Sequence, residues 1–393
     1  MEQFPSRRMS RPPIPLRYFP TIAVIALVAT GCPERKTPKV SSPTPPPANT
    51  AAETRVVHAQ TSYADAIQRV GPGVVTIRVE RRVRAPRQHH FFDNPLMRET
   101  PAFPGAGPMA QQLQLSLASG VVVNSDGMIL TNHHVIDGAE EIKVEFSNHR
   151  VFAARVVGSD PPSDLALIKI GAKELATVIL GDSDRVRVGD VALAIGNPLG
   201  IGQTVTAGII SAKGRSTGLS SGSFEDFLQT DAPINQGNSG GALINTRGEL
   251  IGINSQILSP TGANIGIGFA IPSNMARTVM EQLVNNGKVR RGHLGVVAQP
   301  MTPDLASQFG LPEVKGLVVS SVMPNSVAAR AGLRRGDVII GFNGDPVADG
   351  NELRNRVANT APGSEVRLTI IRDGQQQRMQ ITVGEYQPQS PTG

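Results

Sequence analysis

The 393-residue chain has a single cysteine, Cys32, and no tryptophan. One thiol cannot close an intrachain disulfide, so the fold must stand on its buried core. Aromatic residues make up only 4% and charged residues 18%. No basic stripe is interleaved with aromatics, so no nucleic-acid partner is expected, despite a net charge of +6. Half of that excess sits in the first 31 residues, where only Glu2 opposes Arg7, Arg8, Arg11 and Arg17. No cluster of His, Cys and acids has metal-ligand spacing, so neither a metal nor another cofactor is expected. No apolar run reaches the ~20 residues of a comfortable membrane span.

What is present begins with an export signal. The arginines precede a short apolar stretch, YFPTIAVIALVAT (18–30), followed by Gly31 and Cys32. Such a stretch fits the apolar region of a signal peptide. The segment VATGC resembles a lipobox, with Ala29 in place of the commoner Leu three residues before the cysteine. Cys32 is therefore the expected lipidation site, giving a periplasmic protein held to the membrane by a lipid anchor. A plain signal peptide, or an uncleaved anchor with an incidental cysteine, is the competing reading. Residues 32–58 carry the Pro/Ser/Thr-rich run PERKTPKVSSPTPPPANTAAETR, which cannot bury a core and reads as a tether.

From residue 59 the pattern changes. Tyr63, Ala66, Ile67 and Val70 recur at helical spacing, then Gly-Pro-Gly breaks the helix before a strand. Residues 81–112 have little regular signal and read as a long loop with a contact role. Between 113 and 271, short apolar segments such as MILTN, DLALIKI, VALAIG and GELIGINS follow one another with turn signals and no helices. That pattern indicates an all-β barrel or sandwich, and its length suits a double β-barrel. PSNMARTVMEQLVNNG (272–287) is the clearest helix, with Ser273 as cap and Gly287 as stop. It reads as a link to a second, α+β unit over 291–385, whose strands are joined by Asn-Gly and Asp-Gly hairpins. No second copy of that unit is evident. Residues 386–393 read as a frayed tail.

The segment DAPINQGNSGGALIN (231–245) centres on Ser239 among glycines. Its plain reading is a tight turn feeding a strand. Its chemical reading is a nucleophile with free space above the hydroxyl and backbone N–H groups converging on an oxyanion. A nucleophile needs a base and a group that orients the base. Of the histidines, only the pair His133–His134 ends a well-formed strand, in GMILTNHHVI. Asp164 opens the apolar strand DLALIKI, where a carboxylate is costly unless it receives hydrogen bonds. The chain order His, Asp, Ser fits the triad of an all-β serine protease.

Five ordered segments then carry a specific resemblance: TNHHVI, DLALIKI, GNPLGIGQTVTAGIISAKGR, QTDAPINQGNSGGALIN and NIGIGFAIPSNM. Together they resemble the HtrA/Deg family of serine proteases, from about residue 60 to 385. The resemblance implies a mainly β fold: a chymotrypsin-like double β-barrel protease domain (59–275), a linker helix (276–290) and a single α+β PDZ domain (291–385). It selects His134 over His133, and so a triad of His134, Asp164 and Ser239. It implies an oxyanion hole at Gly237, Asn238 and Ser239, formed by the N–H groups of Gly237 and Ser239 with Asn238 setting the turn. Ile234 and Ile257 would line a shallow apolar S1 pocket, with simple core packing as the alternative. RGHLGV resembles a PDZ carboxylate-binding turn, so His293, Leu294, Gly295 and Val296 would capture C-terminal peptides. KGRSTGLSSGSF resembles the family's sensor loop, with Arg215 as its sensing residue.

The resemblance further implies an ATP-independent endopeptidase acting on unfolded or damaged envelope proteins, assembled as a homotrimer or multiples of trimers through residues near Tyr63. Two rivals stand beside it. One is a regulatory protease that senses a C-terminus and makes one specific cut. The other is a holdase or PDZ scaffold with a vestigial triad.

Overall fold

The computed structural model describes residues 62–84, 111–197, 202–218, 223–235, 237–257, 264–311, 315–347 and 349–387. The expected signal segment, Cys32 and the tether lie outside the described residues, as do most of the 81–112 segment and the tail from 388.

The chain enters through α1 (Ala64–Val70) and a single turn over Gly71–Gly73. The first barrel comprises β1 (Val74–Arg84), β2 (Gln111–Asn124), β3 (Met128–Thr131), β4 (Glu141–Glu145), β5 (Val151–Asp160) and β6 (Leu165–Ile170), with the one-turn helix α2 (His133–Ile136) after β3. The second comprises β7 (Val191–Gly196), β8 (Thr204–Arg215), β9 (Phe227–Thr230), β10 (Ala242–Ile244), β11 (Leu250–Ile257) and β12 (Gly268–Pro272). Both sheets close, in the orders β1-β2-β3-β6-β5-β4 and β10-β11-β12-β9-β8-β7.

β6 and β7 explain why these strands read as continuous apolar runs instead of alternating ones. Leu165 and Leu167 face a core shared between the barrels, while Ala166, Ile168 and Ile170 face the interior of the first. Leu193 and Ile195 join the shared core from the other side, and Ala192 and Ala194 fill the second barrel. Successive side chains point to opposite faces, so a strand buried on both faces must be apolar throughout.

The loop expected at 81–112 is strand at both of its described ends. β1 and β2 stay paired out to Arg84 and Gln111, so residues 81–84, 111 and 112 belong to strands, and 85–110 lie outside the described residues. Charge in ERRVR hid the strand, because a hairpin arm that leaves the sheet can carry arginines on exposed faces.

Helix α3 (Ser273–Asn286) follows β12. It ends as expected: Gly287 is left-handed and donates to the Leu283 carbonyl. Its start differs, because the Ser273 hydroxyl donates to the Gly181 carbonyl at 3.0 Å instead of capping the helix. Ala276, Val279 and Leu283 are buried in the shared core, so this helix is part of the packing of the barrels as well as their link to the last unit.

The last unit contains β13 (Gly292–His293), β14 (Val296–Pro300), α4 (Pro303–Gln308), β15 (Leu317–Val322), α5 (Val327–Arg330), β16 (Val338–Phe342), β17 (Asp345–Pro346), α6 (Gly350–Ala358), β18 (Glu365–Arg372), β19 (Gln375–Thr382) and β20 (Gly384–Glu385). Its main sheet runs β14-β15-β16-β18-β19. The Asn343–Gly344 and Asp373–Gly374 hairpins both take positive φ, as expected. The two edges differ. β14 opens with Val296, Val297 and Ala298, whereas β19 carries exposed Gln375, Gln376, Gln377 and Arg378.

Candidate active site

The site is built at the seam between the barrels. After β5, the Asp160 carboxylate accepts the Ser163 amide at 3.2 Å and caps the turn Pro161–Ser163. That turn delivers Asp164 with φ +55°, a left-handed conformation that Asp tolerates better than most residues. Its carbonyl accepts the His133 amide and the Asn132 side-chain amide, each at 3.1 Å. Its carboxylate accepts the His134 amide at 3.0 Å and the His134 Nδ1–H at 2.8 Å. The Ser255 hydroxyl donates a further bond to Oδ2 at 2.8 Å. The carboxylate accepts at Nδ1, so the proton belongs there and Nε2 is left as a base.

Ser239 comes from the loop before β10. Gly237 takes φ +98° and Gly240 φ +80°. A side chain at Gly240 would also collide with the Ser119 carbonyl and the Thr131 hydroxyl, within 2.3 Å of each. Ser119, on β2, pins this loop to the first barrel. Its hydroxyl donates to the Gly237 carbonyl at 2.7 Å, and its amide donates to the Ser239 carbonyl at 2.9 Å. The Asn238 amide is committed to the Asn235 carbonyl at 3.0 Å, so Asn238 shapes the turn and offers no backbone donor to an oxyanion. The Ser239 hydroxyl donates to the Ser255 carbonyl at 3.0 Å and not to His134. Two of the expected triad residues, His134 and Asp164, are thus clasped, while Ser239 is turned toward β11.

Ser255 and Ser119 escaped the sequence reading. Each had a signal: a small polar residue in an apolar strand, fully enclosed in the fold at 3% and 0% exposure. A buried hydroxyl needs partners, and these two find them around the reacting groups.

Ile234 is 1% exposed and packs in the second-barrel core against the Gly268 backbone, with Ile257 half-buried beside it. Ile234 is thus a core residue of the second barrel. Arg215 is exposed at the end of β8, and its Nε donates to Gln229 at 3.2 Å. Among the described residues of that segment, Gly214 and Ser216 border the last unit and Phe224 packs into it. Its amide donates to the Pro162 carbonyl at 2.7 Å, next to the turn that carries Asp164. Its ring lies under the Arg291 guanidinium at 4.7 Å and edge-on to Tyr386. Arg291 also forms a buried two-pronged ion pair with Asp160. Asn351 and Asn355 of α6 both donate to the Glu225 carbonyl, at 2.8 and 2.7 Å.

The turn His293–Val296 sits at one end of a groove of about 510 Å³ between β14 and α6. The Leu294 and Gly295 carbonyls accept the Ala328 and Met323 amides, at 3.1 and 2.8 Å. A trans peptide points its N–H opposite its C=O, so the Gly295 and Val296 amides are directed the other way, toward the groove. Burial holds His293 below its usual pKa of 6.5, leaving it neutral at pH 7.

A second cavity, about 450 Å³, opens beside His134 and Asp164 and is bounded by Phe224, Asp226 and Gln256. Burial raises the Asp226 pKa from 3.8 to about 6, helped by Asp184, Asp349 and Glu352 against the pull of Lys213. With the folded pKa above the unfolded one, the fold favours the protonated acid. Stability is unaffected below about pH 4, declines as pH rises to about 6, and stays reduced above that. Asp226→Asn should therefore raise stability at pH 8 by about 1–2 kcal/mol, after allowance for solvent screening, and by much less at pH 4. Thermal melts at both pH values check this; an equal gain at both would dismiss the titration.

Residues 118–253 match the trypsin-like peptidase domain family, and residues 283–383 match the PDZ domain family. The chain is 46% identical over 350 residues to the periplasmic serine endoprotease DegP of Escherichia coli (strain K12), covering 83% of this chain and 74% of that protein. It is 45% identical over 328 residues to the periplasmic pH-dependent serine endoprotease DegQ of the same organism, covering 82% and 70%. Among solved structures, the HtrA-type protease AlgW with a decapeptide superposes with a TM-score of 0.67 at 45% identity, covering 83% of this chain and 99% of that one. The same protease with a tripeptide gives a TM-score of 0.69 at 42% identity, covering 83% and 98%.

Proposed function

This chain belongs to the HtrA-type family of DegP and DegQ serine proteases, a trypsin-like peptidase domain followed by one PDZ domain, and from that premise we propose that it degrades unfolded or damaged proteins of the cell envelope. It is a serine endopeptidase, and the homologues that establish this are periplasmic. The observation that carries the assignment of its machinery is the His134–Asp164 clasp, set beside a glycine-flanked serine pinned by Ser119.

In the proposed cycle, Ser239 swings from the Ser255 carbonyl to His134 Nε2 and attacks the peptide carbonyl. His134 takes the hydroxyl proton and then delivers it to the leaving amine. Asp164 holds the ring in its Nδ1–H form and stabilises the imidazolium. The Gly237 and Ser239 amides receive the oxyanion, each worth on the order of 3 kcal/mol. Water then repeats the sequence on the acyl-enzyme. Ile257, at the edge of the apolar wall that Ile234 backs, favours small aliphatic residues at the cleaved bond. The groove at His293–Val296 takes C-terminal carboxylates. Cys32 carries the lipid anchor, and the chain assembles as a trimer.

A regulated reading is favoured by one feature: the Ser239 hydroxyl rests on Ser255 and not on His134. In that reading, an occupied groove reaches the triad through Phe224 and releases Ser239 for a specific cut.

The full chain and its Ser239→Ala variant, incubated with an unfolded protein and with or without a peptide ending in an apolar carboxylate, separate these readings. Cleavage by the unmodified chain alone, without the peptide, is the expected result, with product ends mapping to small aliphatic residues. Cleavage that requires the peptide establishes the regulated form. Equal suppression of aggregation by both proteins, with no cleavage, would leave a holdase.

A further inference from the structure

β14 is an open sheet edge, and α6 lies across from it. This inference rests on the proposed capture of C-terminal peptides and concerns what the groove selects. The peptide's direction follows from the fold. Gly292 abuts the Val357 and Thr360 carbonyls, so the carboxylate-binding turn lies at the C-terminal end of α6. A peptide that ends there and pairs with β14 must run antiparallel to it. Its earlier residues then pass Val297 and Ala298 and approach the first turns of α6.

Side chains in a strand alternate between faces. The last side chain enters the apolar pocket formed by Leu294, Leu317, Leu353 and Val357. The side chain two positions earlier returns to the same face, one helical turn further toward the start of α6. There the groove wall is Gly350, Asn351 and Arg354. Gly350 leaves room, and Arg354 supplies charge. Its guanidinium is exposed, donates to the Asn351 side-chain oxygen at 2.9 Å and lies 5.7 Å from the centre of the Phe224 ring. It makes no ion pair among the described residues. The neighbouring acids are engaged elsewhere: Glu352 pairs with Arg356, and Asp349 caps α6. Among the described residues no carboxylate lines the groove, and His293 at its far end is neutral.

We propose that Arg354 makes this groove select C-terminal peptides with an aspartate or glutamate two positions before an apolar last residue. The guanidinium and carboxylate are matched for a forked pair of hydrogen bonds, and Asn351 and the Phe224 ring hold the guanidinium in place.

The test uses the full chain carrying Ser239→Ala and three labelled decapeptides. They share an apolar last residue and differ only in having Glu, Gln or Lys two positions before it. Fluorescence anisotropy at low salt should show the Glu peptide binding about threefold to fivefold tighter than the Gln peptide, the range of an exposed ion pair, and the Lys peptide weakest. High salt should shrink the spread. Arg354→Gln should abolish the spread while keeping the affinity for the Gln peptide within twofold, which shows that the groove is folded. Arg354→Glu should reverse the order. Equal binding of the Glu and Gln peptides by the Ser239→Ala chain, or a preference that survives Arg354→Gln, would overturn the proposal. Failure of all three peptides to bind would instead remove the capture reading, and this inference with it.

Discussion

Asp164→Asn should lower kcat about 10⁴-fold while leaving the fold and substrate binding nearly unchanged. The Asp164 carboxylate is surrounded by three donors: the His134 amide, the His134 Nδ1–H and the Ser255 hydroxyl. An amide side chain has one acceptor and one donor end. If its oxygen keeps both bonds from His134, the amide and the Nδ1–H, its NH₂ faces Ser255, which can turn and accept. If its NH₂ faces the imidazole, Nδ1 must become the acceptor, and the proton moves to Nε2. The ring is then no longer a base toward Ser239. Either way, the imidazolium formed during attack loses its counter-charge. Steady-state kinetics on a peptide substrate, with circular dichroism to confirm the fold, checks this. A loss under tenfold would mean that Asp164 neither sets the tautomer nor stabilises the charged ring.

Arg291→Ala should destabilise the protein by about 3–5 kcal/mol, the loss typical when one partner of a buried ion pair is removed. The two side chains are 9% and 6% exposed, and Asp160 would be left charged in the interior without its guanidinium. Asp160 also caps the turn that presents Asp164, so kcat should fall as well. The double variant Arg291→Met with Asp160→Leu removes both charges and should regain much of the stability but not the kcat, because Asp160→Leu takes away the cap itself. Thermal unfolding and kinetics on the single and double variants decide the matter. A single variant within 1 kcal/mol of the parent chain, with unchanged kcat, would show that the pair does no work at the site.

The residues that make the fold were more legible than those that tune it. β6 and β7 announced themselves because a strand buried on both faces has to be apolar at every position. The two Asn-Gly and Asp-Gly hairpins followed from local backbone sterics. The pairing of His134 with Asp164 had a local cue, an acid opening a buried strand, but the choice between His133 and His134 came from family resemblance. Ser255 and Ser119 had only the weaker cue of a small polar residue in an apolar strand, and the Arg291–Asp160 pair had none. Arg291 is separated from Asp160 by 131 positions, and in sequence it is an ordinary basic residue beside Arg290. The start of α3 misled for a related reason: Ser273 has the right chemistry for a cap, but a tertiary acceptor, the Gly181 carbonyl, won its hydroxyl. Arginines in the arm of β1 hid a strand whose partner lies across the 85–110 segment. In each case a partner distant in the chain decided what a local pattern left open.

The unequal edges of the last sheet bear on how the molecule behaves in a crowd of half-folded chains. The two barrels are closed and offer no strand for another chain to extend. β14 is bare and apolar at its start, while β19 presents glutamines and an arginine. A strand added to β14 lies between β14 and α6, so the helix covers its outer edge and addition stops at one, while the polar β19 resists a strand on the other side. In the language of polymers, the molecule is a chain terminator. Such a sheet takes up one extended segment without seeding a growing fibre.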